Sequence, residues 1–211
     1  MKTPHPLGQL LKRSGIPPES EAGRKLAGYL ALLEKWNSRI NLTASTEWAA
    51  IEPMMGEAIW ASQFYPPGAL SHLDVGSGAG FPAVVLKILH PQTGLDLVES
   101  RAKKTAFLET VAQVLGLEGM RAHNARLSEF LSQSGRGRRW DCVSWKGVKL
   151  SREDLAQLAA HAHGGTECWI FHGREVALKN PEDAAGSLRL VRKMEIPHRR
   201  ESHLSIYQCF T

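Results

Sequence analysis

The ten residues Leu73-Asp74-Val75-Gly76-Ser77-Gly78-Ala79-Gly80-Phe81-Pro82 limit what this 211-residue chain can fold into more than any other stretch. The apolar run Leu70 to Val75 leads into them and a helical run to Leu89 follows, so the glycines form a strand-to-helix turn. Without Cβ atoms, Gly76, Gly78 and Gly80 permit positive φ and let a ligand lie directly on the backbone. Pro82 suits the first turn of a helix, where its missing N–H costs little. The spacing is G-x-G-x-G with an acid two residues ahead. It is not the G-x-G-x-x-G of dinucleotide sites, whose pyrophosphate needs free helix N–H groups. Asp74 at the strand tip suits a ligand with a cationic amino group and no phosphate, and S-adenosylmethionine is such a ligand.

The next strand supports that reading. Leu95-Asp96-Leu97-Val98-Glu99 ends in an acid whose carboxylate can accept hydrogen bonds from both hydroxyls of a ribose. Ser77, Phe81 and Ser100 flank these positions and join the predicted cofactor set. A third strand ends in Ala122-His123-Asn124-Ala125-Arg126. A loop there would lie beside the adenine, with Asn124, Ala125 and Arg126 offering polar groups and Leu127 an apolar one. A nicotinamide or flavin nucleotide and a purely structural turn remain the alternatives.

Strand–helix alternation carries the fold class. Apolar runs at Leu70–Val75, Gly94–Glu99, Met120–His123, Trp140–Trp145 and Thr166–Phe171 are separated by helical stretches, among them Lys103–Leu115 and Ser151–Ala162. Such repeats predict an α/β fold with a mostly parallel sheet. Leu188–Ile196 and His203–Phe210 have no helix between them and predict an antiparallel strand near the C-terminus. Before Gly68 the chain reads as helices: Leu7–Lys12, Ser20–Ile40, and Glu47–Gln63 interrupted at Pro53 and Gly56. The expected organisation is an N-terminal helical extension, residues 1–68, and a catalytic domain, residues 69–211, in one compact unit. Ser132–Arg139 and Asn180–Ser187 read as flexible loops.

With 26 bases and 21 acids the chain carries a net charge of +5, but the distribution is uneven. Ten bases face four acids between Arg101 and Lys149, and five face two after Gly186. Such segments can attract phosphates and release their counterions, as in nucleic-acid binding, or they are simply a solvated cationic surface. Cys142, Cys168 and Cys209 are odd in number and far apart, so neither a disulfide framework nor a zinc motif is expected. No apolar run approaches a bilayer span, and the first six residues lack a signal-peptide core. A cytoplasmic, monomeric protein without membrane association is the expectation. His161-x-His163 lacks a third ligand, so no metal site is predicted.

On these residues the chain resembles the RsmG/GidB family of bacterial small-subunit rRNA methyltransferases, from about Leu26 to the C-terminus. Trp36-Asn37-Ser38-Arg39-Ile40-Asn41-Leu42-Thr43 is similar to the family's Trp-Asn…Asn-Leu-Thr signature. Asp74 to Pro82 matches its cofactor loop, and Glu99-Ser100 with Lys103-Lys104 and Phe107-Leu108 its second-strand acid and following helix. His203-Leu204 resembles the ending of its last strand. The resemblance implies a class I, Rossmann-like methyltransferase fold and methyl transfer from S-adenosylmethionine to guanine N7. The implied partner is small-subunit (16S) ribosomal RNA, free or in the small ribosomal subunit.

The departures lie on the substrate side. Where the family has a histidine and an Asp-Ser pair, this chain reads Pro53-Met54-Met55-Gly56-Glu57-Ala58-Ile59-Trp60. Ser144-Trp145-Lys146-Gly147 stands where it has Ser-Arg-Ala, and Phe171-His172-Gly173 where it has Leu-Lys-Gly. Arginine to lysine keeps the charge and loses the planar fork. An enzyme of the same fold with another acceptor, or a non-catalytic cofactor- or RNA-binding homologue, are the competing readings. Guanine N7 has an exposed lone pair and loses no proton, so no general base is required. Lys146, leaving the fourth strand beside the first, is the expected catalytic and substrate-orienting residue at the sheet's crevice. Arg126, His172 and Asn41 are weaker substrate-binding candidates.

Overall fold

The computed structural model describes residues 5–133, 136–173, 188–197, 199 and 201–209. The expected flexible loop Asn180–Ser187, and Ser134 and Gly135 of the other, lie outside these residues. Seven strands form one sheet in the order β3-β2-β1-β4-β5-β7-β6. Its parallel members are β1 (Ser71–Val75), β2 (Gly94–Glu99), β3 (Met120–Asn124), β4 (Cys142–Lys146) and β5 (Glu167–His172). The strand β7 (His203–Cys209) runs antiparallel beside β5, and β6 (Leu188–Glu195) forms the outer edge. The predicted antiparallel pairing is present; the later strand in sequence takes the inner place. Strand order reverses between β1 and β4, which opens the crevice where ligands of such sheets bind.

Side-chain alternation assigns the two faces. Leu95 and Leu97 pack with α4 (Ala83–Leu89) and α5 (Ala102–Val114), and the core there includes Leu7, Leu26, Tyr29, Leu33 and Met55. Those five come from α1 (His5–Arg13), α2 (Glu21–Asn37) and α3 (Trp48–Ser62), so the N-terminal helices share the core of α4 and α5. Leu73, Val75, Val98, Val143 and Trp145 face the other way, against α6 (Leu127–Gln133) and α7 (Arg152–Ala160). Ser20 caps α2 by accepting from the Gly23 N–H at 3.1 Å.

One expected boundary differs. The third helix runs unbroken through Pro53 and Gly56. Proline removes one intrahelical bond, but Ile51, Met55, Ala58 and Ile59 are all buried, and that packing outweighs the local preference.

Candidate cofactor and substrate site

The glycine loop leaves β1 at the crevice. Gly76 and Ser77 donate their N–H groups to the Val98 carbonyl at 2.8 and 3.2 Å, tying the loop to the end of β2. Gly78 has φ +56° and donates to Glu99 Oε2 at 2.9 Å; a Cβ there would meet nothing closer than 3.8 Å. That position is kept open on the ligand side of the loop. Gly80 is the reverse case, with φ +93° and Val84 only 2.5 Å from where a Cβ would stand. Here glycine lets α4 and the loop pack together.

Two buried carboxylates flank this loop. Asp74 is 2% exposed and Glu99 7%. Glu99 accepts from the Gly78 N–H through Oε2 and from the Arg101 N–H through Oε1 at 2.8 Å, which fixes its plane and leaves each oxygen a further lone pair. Burial pushes Asp74 up to about 7, against hydrogen bonds from Ser144 and Ser77; the Glu99 charge raises it further and Lys146 opposes. A pair of buried acids of this kind is stabilised by a cation placed between them. The donor set and the open Gly78 position therefore fit an adenosine carrying a cationic amino acid. Asn124 adds an Nδ2–H bond to the Glu99 carbonyl at 3.2 Å, while Ala125 donates its N–H to the same carbonyl at 3.3 Å. This brings the third segment to the end of β2, where the sequence placed it. Ser100 is exposed beside it, and Leu127 is buried at the start of α6.

The substrate-side candidates are more scattered. Lys146 stands at the tip of β4, in register with Phe171, and its ammonium pairs with Glu57 of α3. Arg199, in the turn between β6 and β7, pairs with the other oxygen of the same carboxylate. Glu57 is 2% exposed, so a buried acid clamps two cations from different elements. Burial lowers Lys146 despite the favourable Glu57 charge. His172, one strand further on, bonds Ser205 Oγ through Nε2 at 2.9 Å and stacks on His203. Arg126 follows β3 on the opposite flank, four strand spacings or about 19 Å from His172. The two candidates therefore stand on opposite flanks of the crevice. Asn41 is exposed in the turn after α2, whereas Asn37 organises that turn by accepting from the N–H groups of Leu42 and Thr43, each at 2.9 Å.

Some features have structural work instead. Arg138 forms a two-pronged pair with Asp96 at 3.0 and 2.9 Å, and Arg139 donates to the Ala162 carbonyl. His161 bonds the Arg138 carbonyl and His163 bonds Asp141. Trp140 is buried, Trp36 meets Phe107 edge-on at 5.9 Å and Trp60 packs on Phe64.

Sequence reasoning missed five contributors: Tyr29, Tyr65, His72, Ser144 and Glu57. Tyr29 donates its hydroxyl to the Ala79 carbonyl at 2.6 Å, bracing the glycine loop from α2. His72, Asp74, Ser144 and Lys146 were visible as polar residues at every second position of otherwise apolar strands. A polar stripe on a buried sheet face is a signal in itself.

The chain matches the GidB family, described as rRNA small subunit methyltransferase G, over residues 22–177. It belongs to that family. The ribosomal RNA small subunit methyltransferase G 1 of Syntrophobacter fumaroxidans is 33% identical over 84% of this chain and 83% of its own length. The corresponding protein of Streptococcus pneumoniae R6 is 29% identical over 69% of this chain and 62% of its own. A solved structure, the putative methyltransferase yhhF of Escherichia coli, superposes with a TM-score of 0.59 at 18% identity, over 74% of this chain and 86% of that one. That likeness concerns the fold alone. As a GidB-family chain, this protein keeps its glycine loop and strand-end acids together. The segments of α3 and β4 that the sequence reading singled out as departures are in contact with each other, through Glu57 and Lys146.

Proposed function

We propose that this protein is an S-adenosylmethionine-dependent methyltransferase acting on N7 of a guanine in small-subunit (16S) ribosomal RNA. The observation that carries the reading is the family match across residues 22–177, which spans the glycine loop, Asp74 and Glu99. S-adenosylmethionine, when bound, supplies a methyl group activated on sulfonium. The residues around it do three things. Gly78 leaves room for close approach, Asp74 offers a negative partner for an ammonium, and Glu99 offers lone pairs to ribose hydroxyls. The acceptor nitrogen loses no proton, so the site has to orient and desolvate rather than abstract. Placement of this kind is worth up to about 7–11 kcal/mol in favourable systems. Lys146, at the β4 tip beside β1, is the residue proposed to orient the base or a neighbouring phosphate.

A second reading, another acceptor for the same cofactor, is favoured by one observation. The lysine at the crevice is held by Glu57 and shares it with Arg199, so the charge it presents is partly neutralised. One experiment separates the two. Methyl-labelled S-adenosylmethionine is supplied with small subunits, and with naked small-subunit RNA, lacking the modification, and the label is located by nuclease mapping. Label at a guanine N7 is the expected result; transfer elsewhere supports the second reading, and no transfer to either substrate removes the first.

A further inference from the structure

A chain of buried hydrogen bonds runs from outside the site to Asp74. Tyr65 lies in the connector before β1, and its hydroxyl is 3.0 Å from His72 Nδ1. His72 Nε2 is 2.8 Å from Ser144 Oγ, and Ser144 donates to Asp74 Oδ1 at 2.5 Å. Strand geometry makes the chain possible. His72 and Asp74 are two apart and point to one face of β1, while Ser144 is the cross-strand neighbour of Asp74 on β4. His72, Asp74 and Ser144 are at most 2% exposed, so these bonds are shielded from bulk solvent.

With Asp74 ionised, the hydrogens in this chain have one self-consistent direction. A serine hydroxyl has a single proton, and Ser144 gives it to the carboxylate. Ser144 must then accept from His72, which puts the imidazole proton on Nε2. His72 Nδ1 is left as an acceptor, and Tyr65 supplies its phenolic proton. The imidazole has to be neutral for this, and burial does hold His72 far down, at about 3.

We propose that Ser144, His72 and Tyr65 are positioning residues for cofactor binding, a one-way hydrogen-bond chain that favours the ionised form of Asp74 against its burial and turns the carboxylate for the ligand's ammonium group. The assignment rests on the S-adenosylmethionine reading above. Tyr65 acts only through the tautomer of His72. Without the phenolic donor holding Nδ1 as an acceptor, the ring can carry its proton on Nδ1 and take the Ser144 hydroxyl for Nε2, which costs Asp74 its Ser144 donor and leaves it Ser77. The other groups that bear on Asp74 are Glu99 at the end of β2, Lys146 further along β4, the Ser77 hydroxyl, Tyr29 of α2 and Cys142 of β4. None of these would change when Tyr65 loses its hydroxyl.

The test uses the full chain, with S-adenosylhomocysteine as a non-reacting probe followed by calorimetry from pH 5.5 to 8.5. Wild-type affinity should rise with pH as Asp74 ionises. In Ser144→Ala the affinity at pH 7 should fall roughly tenfold, the weight of one hydrogen bond to a charged group, and the midpoint should move alkaline. Tyr65→Phe should shift the midpoint the same way by less. Nitrogen-15 shifts of the His72 ring provide the readout that packing alone would not move: an Nε2–H tautomer in the wild type, and growth of the Nδ1–H form in Tyr65→Phe. Wild-type binding with unmoved pH profiles in both variants overturns the chain, as does an Nδ1–H tautomer in the wild type. Absence of wild-type binding at any pH overturns the cofactor reading itself, and the proposal with it.

Discussion

His72 and Asp74, two residues apart on β1, are both pushed towards their neutral forms by burial, to about 3 and about 7. Their effects on stability have opposite signs. Asp74 titrates above its ordinary value of 3.8, so its contribution is complete below that pH and is lost as pH rises through 7. His72 titrates below its ordinary 6.5, so its contribution is complete above that pH and is lost as pH falls through 3. The two windows overlap between about 4 and 6.5, and the shifts are of similar size. Their joint contribution should therefore be nearly flat there, which leaves the wild-type curve the rise towards pH 6.5 from His90, also lowered by burial. In Asp74→Asn the His72 slope is no longer cancelled, so denaturant midpoints should climb more steeply from pH 4 to 6.5 than in the wild type; equal slopes in the two proteins would contradict the burial of His72. Lys146 poses a different residue-scale question. In Lys146→Ala, Glu57 keeps Arg199 as a partner, so the fold should hold. Above about pH 8, where Asp74 is ionised with or without the lysine, calorimetric affinity for S-adenosylmethionine should be unchanged while methyl transfer falls by roughly tenfold or more. Unchanged turnover would take Lys146 out of the site.

Helix α2 shows how an element outside the sheet shapes the site. Its face carries Leu26, Tyr29 and Leu33 into the core, and Tyr29 alone among them has a polar end, which reaches the glycine loop. Tyr29→Phe keeps the ring against Phe81 and leaves the half-buried Ala79 carbonyl without that donor. About 1–2 kcal/mol of stability should be lost. The affinity for S-adenosylmethionine should also weaken, because the loop loses its brace; a loss of stability with no change in affinity would make Tyr29 a core residue only. The same helix was plain in the sequence, because its apolar residues recur at three and four. The parallel strands were plain too, as short apolar runs between helices. What stayed hidden depends on contacts across long separations. Pro53 and Gly56 read locally as an interruption, yet α3 is continuous because its buried face is held by other helices. Asp74 and Glu99 could be found from a loop and a spacing. Ser144 stood out only as a polar residue in an apolar strand, and neither its partner nor that of Glu57 could be read, since they are 70 and 89 residues from the groups they serve, Asp74 and Lys146.

Across the whole molecule, the sheet sorts the basic residues between its two ends. Arg101 and Lys103 follow β2, Arg126 follows β3, and Lys146 and Lys149 close or follow β4, so all five lie at the edge that carries the glycine loop. Arg121 starts β3, while Arg136, Arg138 and Arg139 precede β4, which puts them at the far edge. There Asp96 and the Ala162 carbonyl already engage Arg138 and Arg139. At the near edge Lys146 is paired with Glu57, which leaves Arg101, Lys103, Arg126 and Lys149 of those five. An RNA that presents a guanine to the crevice should contact phosphates through the near edge, and each contact released should flatten the salt dependence by about 0.7 in log–log slope. Lys103→Gln combined with Arg126→Gln should reduce that slope by roughly 1.4 and weaken RNA binding most at low salt. Arg121→Gln combined with Arg136→Gln removes the same charge from exposed positions and should change the slope little. Filter binding at 50 to 200 mM salt distinguishes the outcomes. Equal losses from both pairs would mean that net charge alone attracts the RNA, with no docking face defined by the crevice.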